Sequence, residues 1–199
     1  MRPETEHPLD IRVSDIDNAV LRDLFDGCRP CVYWERPERL REASVEEATS
    51  LKSEWFERTA ARFGPCGKLL YVDDEPAAYC QYAPARRFPG VSRYGGLARR
   101  LDKDDVLITC LCVSEKRQRK GLGRKLLEAV VEDLKTRNVK AVVTFARDDS
   151  ANNCSGPTVF YPAQGFSVVA TETYPGDGSY FLVSLGCGGR QVNHEQDRL

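Results

Sequence analysis

The chain is poor in histidine, in net charge and in long apolar runs. Only His7 and His194 occur among its 199 residues, and both stand near the ends. No imidazole therefore accompanies the interior cysteines, which argues against a Cys–His nucleophile and against a mixed Cys/His zinc site. Lysine plus arginine (29) nearly cancel aspartate plus glutamate (30), for a formal charge of −1. A chain built to coat nucleic acid carries a basic excess, so no nucleic-acid partner is expected. No apolar run approaches the roughly 20 residues needed to cross a bilayer. The opening MRPETEHPLD is polar and acidic, unlike a signal peptide. The expectation is a cytoplasmic protein without a membrane partner, whose eight cysteines are reduced thiols rather than a disulfide framework.

What is present is ordinary for a globular protein, with 41% hydrophobic and 30% charged residues. The length suits one domain, placed at 11–185, with flexible termini at 1–10 and 186–199. The most informative stretch is VLITCLCVSEKRQRKGLGRKLLEAVVEDL, from Val106 to Leu134. Its apolar start can bury both faces, as a central strand does. Its end repeats Leu122, Leu126, Val130 and Leu134 every four residues, with Leu127 and Val131 beside them, which is one apolar helix face. Between lie Lys116, Arg117, Arg119 and Lys120, then Gly121 and Gly123. Strand, loop and helix in that order describe an anion site. The first amides of a helix lack intrahelical partners, and its dipole favours negative charge there. Two glycines let the backbone approach a phosphate closely.

Three phosphate motifs compete for this loop. A Walker A loop needs Ser or Thr after its Gly-Lys, but Arg124 and Lys125 follow Gly123. A dinucleotide fingerprint needs a third glycine where Leu126 stands. Gln118-Arg119-Lys120-Gly121-Leu122-Gly123, with Val113-Ser114-Glu115 before it, resembles the Gln/Arg-x-x-Gly-x-Gly/Ala signature of the GNAT superfamily of acyl-CoA-dependent N-acyltransferases. The proline usual in that loop is absent. Tyr161-x-x-x-Gly165-Phe166 resembles the second landmark of the same family, in the right order along the chain.

The resemblance implies an α/β (mixed α+β) GNAT fold, a central mixed twisted sheet flanked by helices, with two parallel strands splayed apart. These would be Val106–Val113 and Lys140–Ala146. It implies acetyl-CoA as cosubstrate, with the amides of Gln118, Arg119, Lys120, Gly121, Leu122, Gly123 and Arg124 on the pyrophosphate. Main-chain groups of Leu111 and Val113 would pair with the pantetheine arm, and a main-chain N–H of this strand would polarise the thioester carbonyl. Asn153 is carried over as a further CoA contact. Tyr161 would be the general acid for the departing thiolate, and a core aromatic is its alternative reading. No metal is implied.

Elsewhere, Ile11 and Val13 suggest a first strand and Asp15 or Asp17 a helix to Phe25. Cys28-x-x-Cys31 is read as incidental thiols, with zinc or oxidation as alternatives. Tyr33, Trp34 and Glu35 are candidates for an acceptor pocket or for core packing. Ser44 and Glu47 form a capping box for a helix to Phe63. Leu69–Val72 and Ala77–Ala83 read as a hairpin. The stretch Pro84–Asp104 reads as a long loop, either a lid or a surface excursion. Later strands are expected at Ser167–Glu172 and Tyr180–Leu185, with Gly176-Asp177-Gly178 turning between them.

The reaction implied is direct acetyl transfer to a primary amine, on a small molecule or a protein. Glu35, Asp148 or water would remove its proton. Cys110 and Cys112, on one strand face, raise an acyl-cysteine route, which lacks a histidine to activate the thiol. A non-catalytic acyl-CoA sensor is the competing reading. A homodimer is left open by the family's habits, and no residue decides it.

Overall fold

The computed structural model describes residues 9–148 and 155–187. Strand β1 is Ile11–Asp15. Helix α1, Val45–Phe63, starts at Ser44, whose Oγ accepts the Glu47 amide at 3.1 Å, as the capping spacing requires. Strands β2 (Gly67–Val72) and β3 (Glu75–Pro84) form the expected hairpin. Asp73 and Asp74 turn it with φ of 53° and 62°, a left-handed pair that matches strand twist and that aspartate tolerates. The short helix α2 (Gly95–Ala98) precedes β4 (Val106–Val113), α3 (Leu122–Thr136) and β5 (Ala141–Ala146). Strands β6 (Ser167–Tyr174) and β7 (Gly178–Gly186) close the order.

The seven strands make one sheet, ordered β1-β2-β3-β4-β5-β7-β6. Only β4 and β5 run parallel, so the sheet is mixed. Helices cover both faces, which is why β2 is buried at all six positions. On the α1 side, Trp55 and Phe56 meet Leu69, Tyr79 and Leu107. On the other, Leu126, Val130 and Leu134 of α3 meet Leu70, Tyr82 and Ile108. The mixed α/β architecture expected from the sequence is the one that forms.

Two features of β4 shape the site. Gln81 opposes Cys110 while the next residue, Tyr82, opposes Ile108, so Thr109 is an extra residue, a bulge. Alternation reverses there: Leu107 and Cys110 both face the α1 core, Ile108 and Leu111 the α3 core. The parallel partnership also ends early. Val106 pairs with Val142 and Leu107 with Val143, and no further pair follows. Strand β5 instead continues with β7 as far as Ala146. The expected splay is therefore present, at these two strands.

Three expectations need correction. The helix proposed from Asp15 or Asp17 to Phe25 is only a 3-10 turn, Val20–Asp23. Asp17 Oδ1 takes the amides of Ala19 and Val20, and Leu24 then turns extended, so no helix propagates. The stretch Pro84–Asp104 is not the plain long loop expected. It winds through 3-10 turns into α2 and buries Phe88, Tyr94 and Leu97. Apolar Phe88, Val91, Tyr94 and Leu97 recur every three residues, the eclipsed period of a 3-10 helix. At the ends, Asp10 and Cys187, placed in flexible termini, bond to Asp73 and Lys140; the other terminal residues lie outside the described ones, except Leu9, which is exposed, and Gly186, the last residue of β7.

The C-terminus of α3 is anchored by charge. Arg137 pairs with Asp133, and its Nη1 donates to the carbonyls of Phe63 (3.3 Å) and Pro65 (2.7 Å), joining α3 to the end of α1. Partial burial pushes the Asp133 carboxyl up, but Arg137, Lys68 and Tyr82 outweigh this and hold it below its usual range. A depressed carboxyl stabilises the fold fully above its unfolded value, about pH 4, and loses that contribution as pH falls through the lower folded value. Asp133→Asn should lower stability at pH 6 and flatten the fall in stability below about pH 4, as read by urea unfolding at both pH values.

Candidate active site

The cleft opens where β4 leaves β5. Gly121, at φ 77°, is the residue before the first turn of α3, and no side chain caps that helix. A side chain with a Cβ is strained at such a φ, so glycine belongs there. Arg119 also takes a left-handed φ of 59°. Together they wrap the loop so that Gly121, Leu122, Gly123 and Arg124 line a cavity of about 630 Å³. Its opposite wall is Leu111, Cys112 and Val113 of β4, and Pro157 and Phe160 close one side. Uncapped amides, the positive end of a helix dipole and two arginines thus meet an open strand edge in one cavity.

Most of the residues expected to hold CoA are brought together here. Leu111, Val113, Gln118, Arg119, Gly121, Leu122, Gly123 and Arg124 all line the cavity. Lys120 does not, and stands exposed beside it. Gln118 Nε2 donates to the Val113 carbonyl at 3.2 Å, so this side chain braces the strand end. Asn153 lies outside the described residues. Phe160 and Gly156 also line the wall and were not singled out from the sequence. Adjacency to Tyr161 was the only signal for Phe160.

Tyr161 sits at the fork itself. Its ring is wholly buried between Phe160 and Phe166, with centroids at 5.2 Å and 5.3 Å. Its hydroxyl donates to the Ser155 carbonyl. Burial pushes the phenol pKa far up, more than the Thr144 hydroxyl against it pulls it down. That same Thr144 donates across the splay to the Ile108 carbonyl at 2.9 Å. Tyr161 does not itself line the cavity: Gly156 does, and a Cβ there would stand 3.8 Å from the phenol oxygen.

The α1 side of β4 carries a buried polar network. Lys52 Nζ lies 2.7 Å from Glu35 Oε1 and 2.8 Å from the Cys31 carbonyl. Gln81 Nε2 donates to the same Glu35 oxygen at 2.5 Å, and Tyr79 donates to Gln81. Burial alone would lower the Lys52 ammonium pKa; the adjoining Glu35 carboxylate overcomes that and raises it. Trp34 stacks on Tyr94 at 5.1 Å, and its carbonyl accepts the Gly90 amide. A Cβ on Gly90 would come within 2.6 Å of the Tyr33 carbonyl, so only glycine permits this approach. Of the candidate acceptor residues, Trp34 is thus committed to the core, and Glu35 Oε1 is committed to Lys52 and Gln81. Asp148 Oδ1 accepts the Thr158 amide at 2.7 Å and shapes the turn before Tyr161. Among the described residues, no group of three or more His, Cys, Asp or Glu is placed to hold a metal.

A sheet forked at its parallel pair, with an uncapped glycine-led helix beside the fork, places a strand-edge cleft against a helix N-terminus. The sequence model of the GNAT acetyltransferase family matches residues 21–155, and the chain belongs to that family. Solved structures share its fold. The ribosomal-protein-S18-alanine N-acetyltransferase of Escherichia coli is 18% identical, with TM-score 0.56, over 94% of this chain and 100% of that one. The PaiA N-acetyltransferase of Thermoplasma acidophilum, solved with coenzyme A, is 14% identical, with TM-score 0.55, over 89% and 99%. A GNAT-family acetyltransferase of Streptococcus pneumoniae is 12% identical, with TM-score 0.61, over 90% and 100%. No curated protein sequence matches the chain at a significant level.

Two variants test this geometry. Gly121→Val places a β-branched residue at positive φ and should weaken acetyl-CoA binding about tenfold or more, by titration calorimetry, with folding retained. Lys52→Met leaves Glu35 buried without its ion partner and should cost about 3–5 kcal/mol in chemical denaturation; the double variant Glu35→Gln/Lys52→Met should recover most of it.

Proposed function

We propose that the protein is an N-acetyltransferase that moves an acetyl group from acetyl-CoA directly to a primary amine. The observation that supports this most is the convergence, in one cavity, of the uncapped α3 N-terminus and the unpaired edge of β4. The amides around Gly121 and Gly123 hold the pyrophosphate, with Arg119 and Arg124 neutralising charge. The pantetheine arm lies along Leu111–Val113 and takes main-chain hydrogen bonds that β5 leaves unused. Acetyl-CoA supplies the activated thioester, and the protein's part is to align it with the amine.

A main-chain N–H at the bulged part of β4 polarises the thioester carbonyl as negative charge builds on its oxygen. The amine must first lose a proton, since an alkyl ammonium near pKa 10.4 has no lone pair to attack with. Glu35 is held by Lys52 and Gln81, and Asp148 by Thr158. Of the three candidates for proton removal, this favours water. The C–N bond forms, the C–S bond breaks, and Tyr161 meets the departing sulfur after exchanging its bond to Ser155. Its raised pKa makes it a poor outright acid, so its contribution is an O–H···S hydrogen bond that stabilises the departing thiolate, while the proton shed by the newly acylated nitrogen reaches the sulfur by way of water. The E. coli and Thermoplasma enzymes act on amines by their names, which agrees with this acceptor class. A cytoplasmic setting agrees with it too, and no helix among the described residues is long and apolar enough to cross a membrane.

Turnover is tested by release of CoA thiol with an amine panel. Tyr161→Phe should lower kcat about 10- to 100-fold, as expected for one hydrogen bond to a charged group, with acetyl-CoA affinity retained. Because burial raises the Tyr161 pKa, its neutral form persists above the ordinary tyrosine value of about 10. The kcat profile should then show no alkaline loss up to about pH 10 that Tyr161→Phe removes. Tight acetyl-CoA binding without thiol release on any amine would instead establish the sensor reading.

A further inference from the structure

The far end of β4 carries a second cavity. Pro84 opposes Val106 there, whereas the CoA-side wall begins at Leu111, five residues along the strand and thus roughly 16 Å away. This cavity, of about 430 Å³, lies between α1 and the turns that follow β3, within the size range of small-molecule sites. Half of its ten lining residues are arginines: Arg36, Arg58, Arg62, Arg86 and Arg87. Their charges are unequally matched. Arg36 pairs with Glu38 at 3.2 Å and Arg86 with Asp104, while Arg58 reaches Glu54 only at 3.9 Å on the exposed helix surface. Among the described residues, no carboxylate lies within ion-pair distance of Arg62 or Arg87. Arg87 Nε is shielded from solvent and has no hydrogen-bond partner.

Glu35 also lines this cavity, 1% exposed. Its Oε1 already accepts from Lys52 and Gln81, and its charge is balanced by Lys52. Its Oε2 is buried and accepts nothing. A buried acceptor without a donor is uncommon in a native fold and costs about 1–3 kcal/mol unless something fills it. The cavity therefore holds two unmatched guanidinium charges, two donors without a hydrogen-bond partner (Arg36 Nε, which only ion-pairs with Glu38, and Arg87 Nε) and one orphaned acceptor. A monoanion leaves one charge unmatched and a phosphate dianion answers both; inorganic phosphate carries its remaining O–H on the phosphorus itself, whereas a monoester can present Glu35 Oε2 with a donor set apart from the phosphate. Arginine's planar fork suits phosphate oxygens in pairs.

We propose that this cavity binds a small phosphate monoester carrying a hydroxyl or amino donor. The phosphate sits between Arg58 and Arg62 on α1 and Arg87 across from them. The donor reaches Glu35 Oε2. Glu35 also holds Gln81, which opposes Cys110 at the bulge, so the occupant lies two hydrogen bonds from the strand that forks. The inference is independent of whether the CoA cleft turns over.

The test is titration calorimetry on the full chain saturated with acetyl-CoA, which fills the other phosphate-binding cleft. The probes are O-phosphoethanolamine, glycerol 3-phosphate and inorganic phosphate. The two monoesters should bind about tenfold more tightly than inorganic phosphate, and the tighter of them tells whether the donor is amine or hydroxyl. Arg87→Ser and the exposed Arg62→Ser should each weaken monoester binding about tenfold, and Glu35→Gln should erase the preference over inorganic phosphate. Arg62 is solvent-facing, so its variant folds even where the others do not. Absence of monoester binding, displacement by acetyl-CoA, equal binding of inorganic phosphate, or unchanged affinity in both arginine variants would overturn the proposal.

Discussion

Hydrogen bonding between β4 and β5 stops after two residue pairs, and most of what distinguishes this protein depends on that stop. A parallel strand inside a covered sheet normally satisfies both edges, because an unpaired amide in the interior is costly. Here β4 beyond Leu107 has no strand pairing on its β5 side. The fork persists because its apex is closed by side chains. Thr144 reaches the Ile108 carbonyl, and Tyr161 is buried in the α3-side core together with Ile108, Leu111 and Ala146. The bulge at Thr109 then turns Cys110 toward α1 and Leu111 toward α3.

The two sides of the fork are held by different physics. The α3 side is apolar and continuous, with Leu122, Leu126, Val130 and Leu134 buried along one helix stripe. The α1 side packs aromatic rings around a charged interior, with Lys52 and Glu35 both about 1% exposed. A buried ion pair contributes little net stability but is costly to break on one side only. It ties the segment 31–35 to α1 and, through Gln81, to the strand next to the bulge. The aromatic stack of Trp34, Tyr94 and Phe145 presses the same segment down, with Gly90 allowing backbone contact. Residues 31–35 and 84–98 together roof this face, which is the core-packing alternative for Trp34 and a departure from the long loop expected of the second segment.

The legibility of the site tracked how local its causes are. A glycine-led helix start after a β-rich run is a neighbour-to-neighbour pattern, so Gln118–Arg124 and the α3 stripe could be placed from the chain alone. The Ser44–Glu47 cap and the hairpin of Leu69–Val72 and Ala77–Ala83 were legible for the same reason. The pairing of Glu35 with Lys52 was not, since seventeen residues separate them and no local pattern links the two. Nor was the burial of Phe88, Tyr94 and Leu97, because a three-residue period inside a glycine- and proline-rich stretch resembles a loop until a core is set beneath it. The arginine cavity joins residues 35 to 89 from three separate segments and has no sequence motif at all.

By itself, the sequence determined the strand–loop–helix unit from β4 through α3, the glycine-led start of α3 and the family to which the chain belongs. Each of these rests on contacts within about a dozen residues, where periodicity, capping and glycine placement act directly. Tertiary structure alone decided where β4 parts from β5, which residues a single bulge turns to each face, and that Tyr161 stands behind Gly156 with its hydroxyl on Ser155. Those outcomes depend on strand register and on buried partners far apart in the chain, and a one-residue shift in register reverses every side chain beyond it.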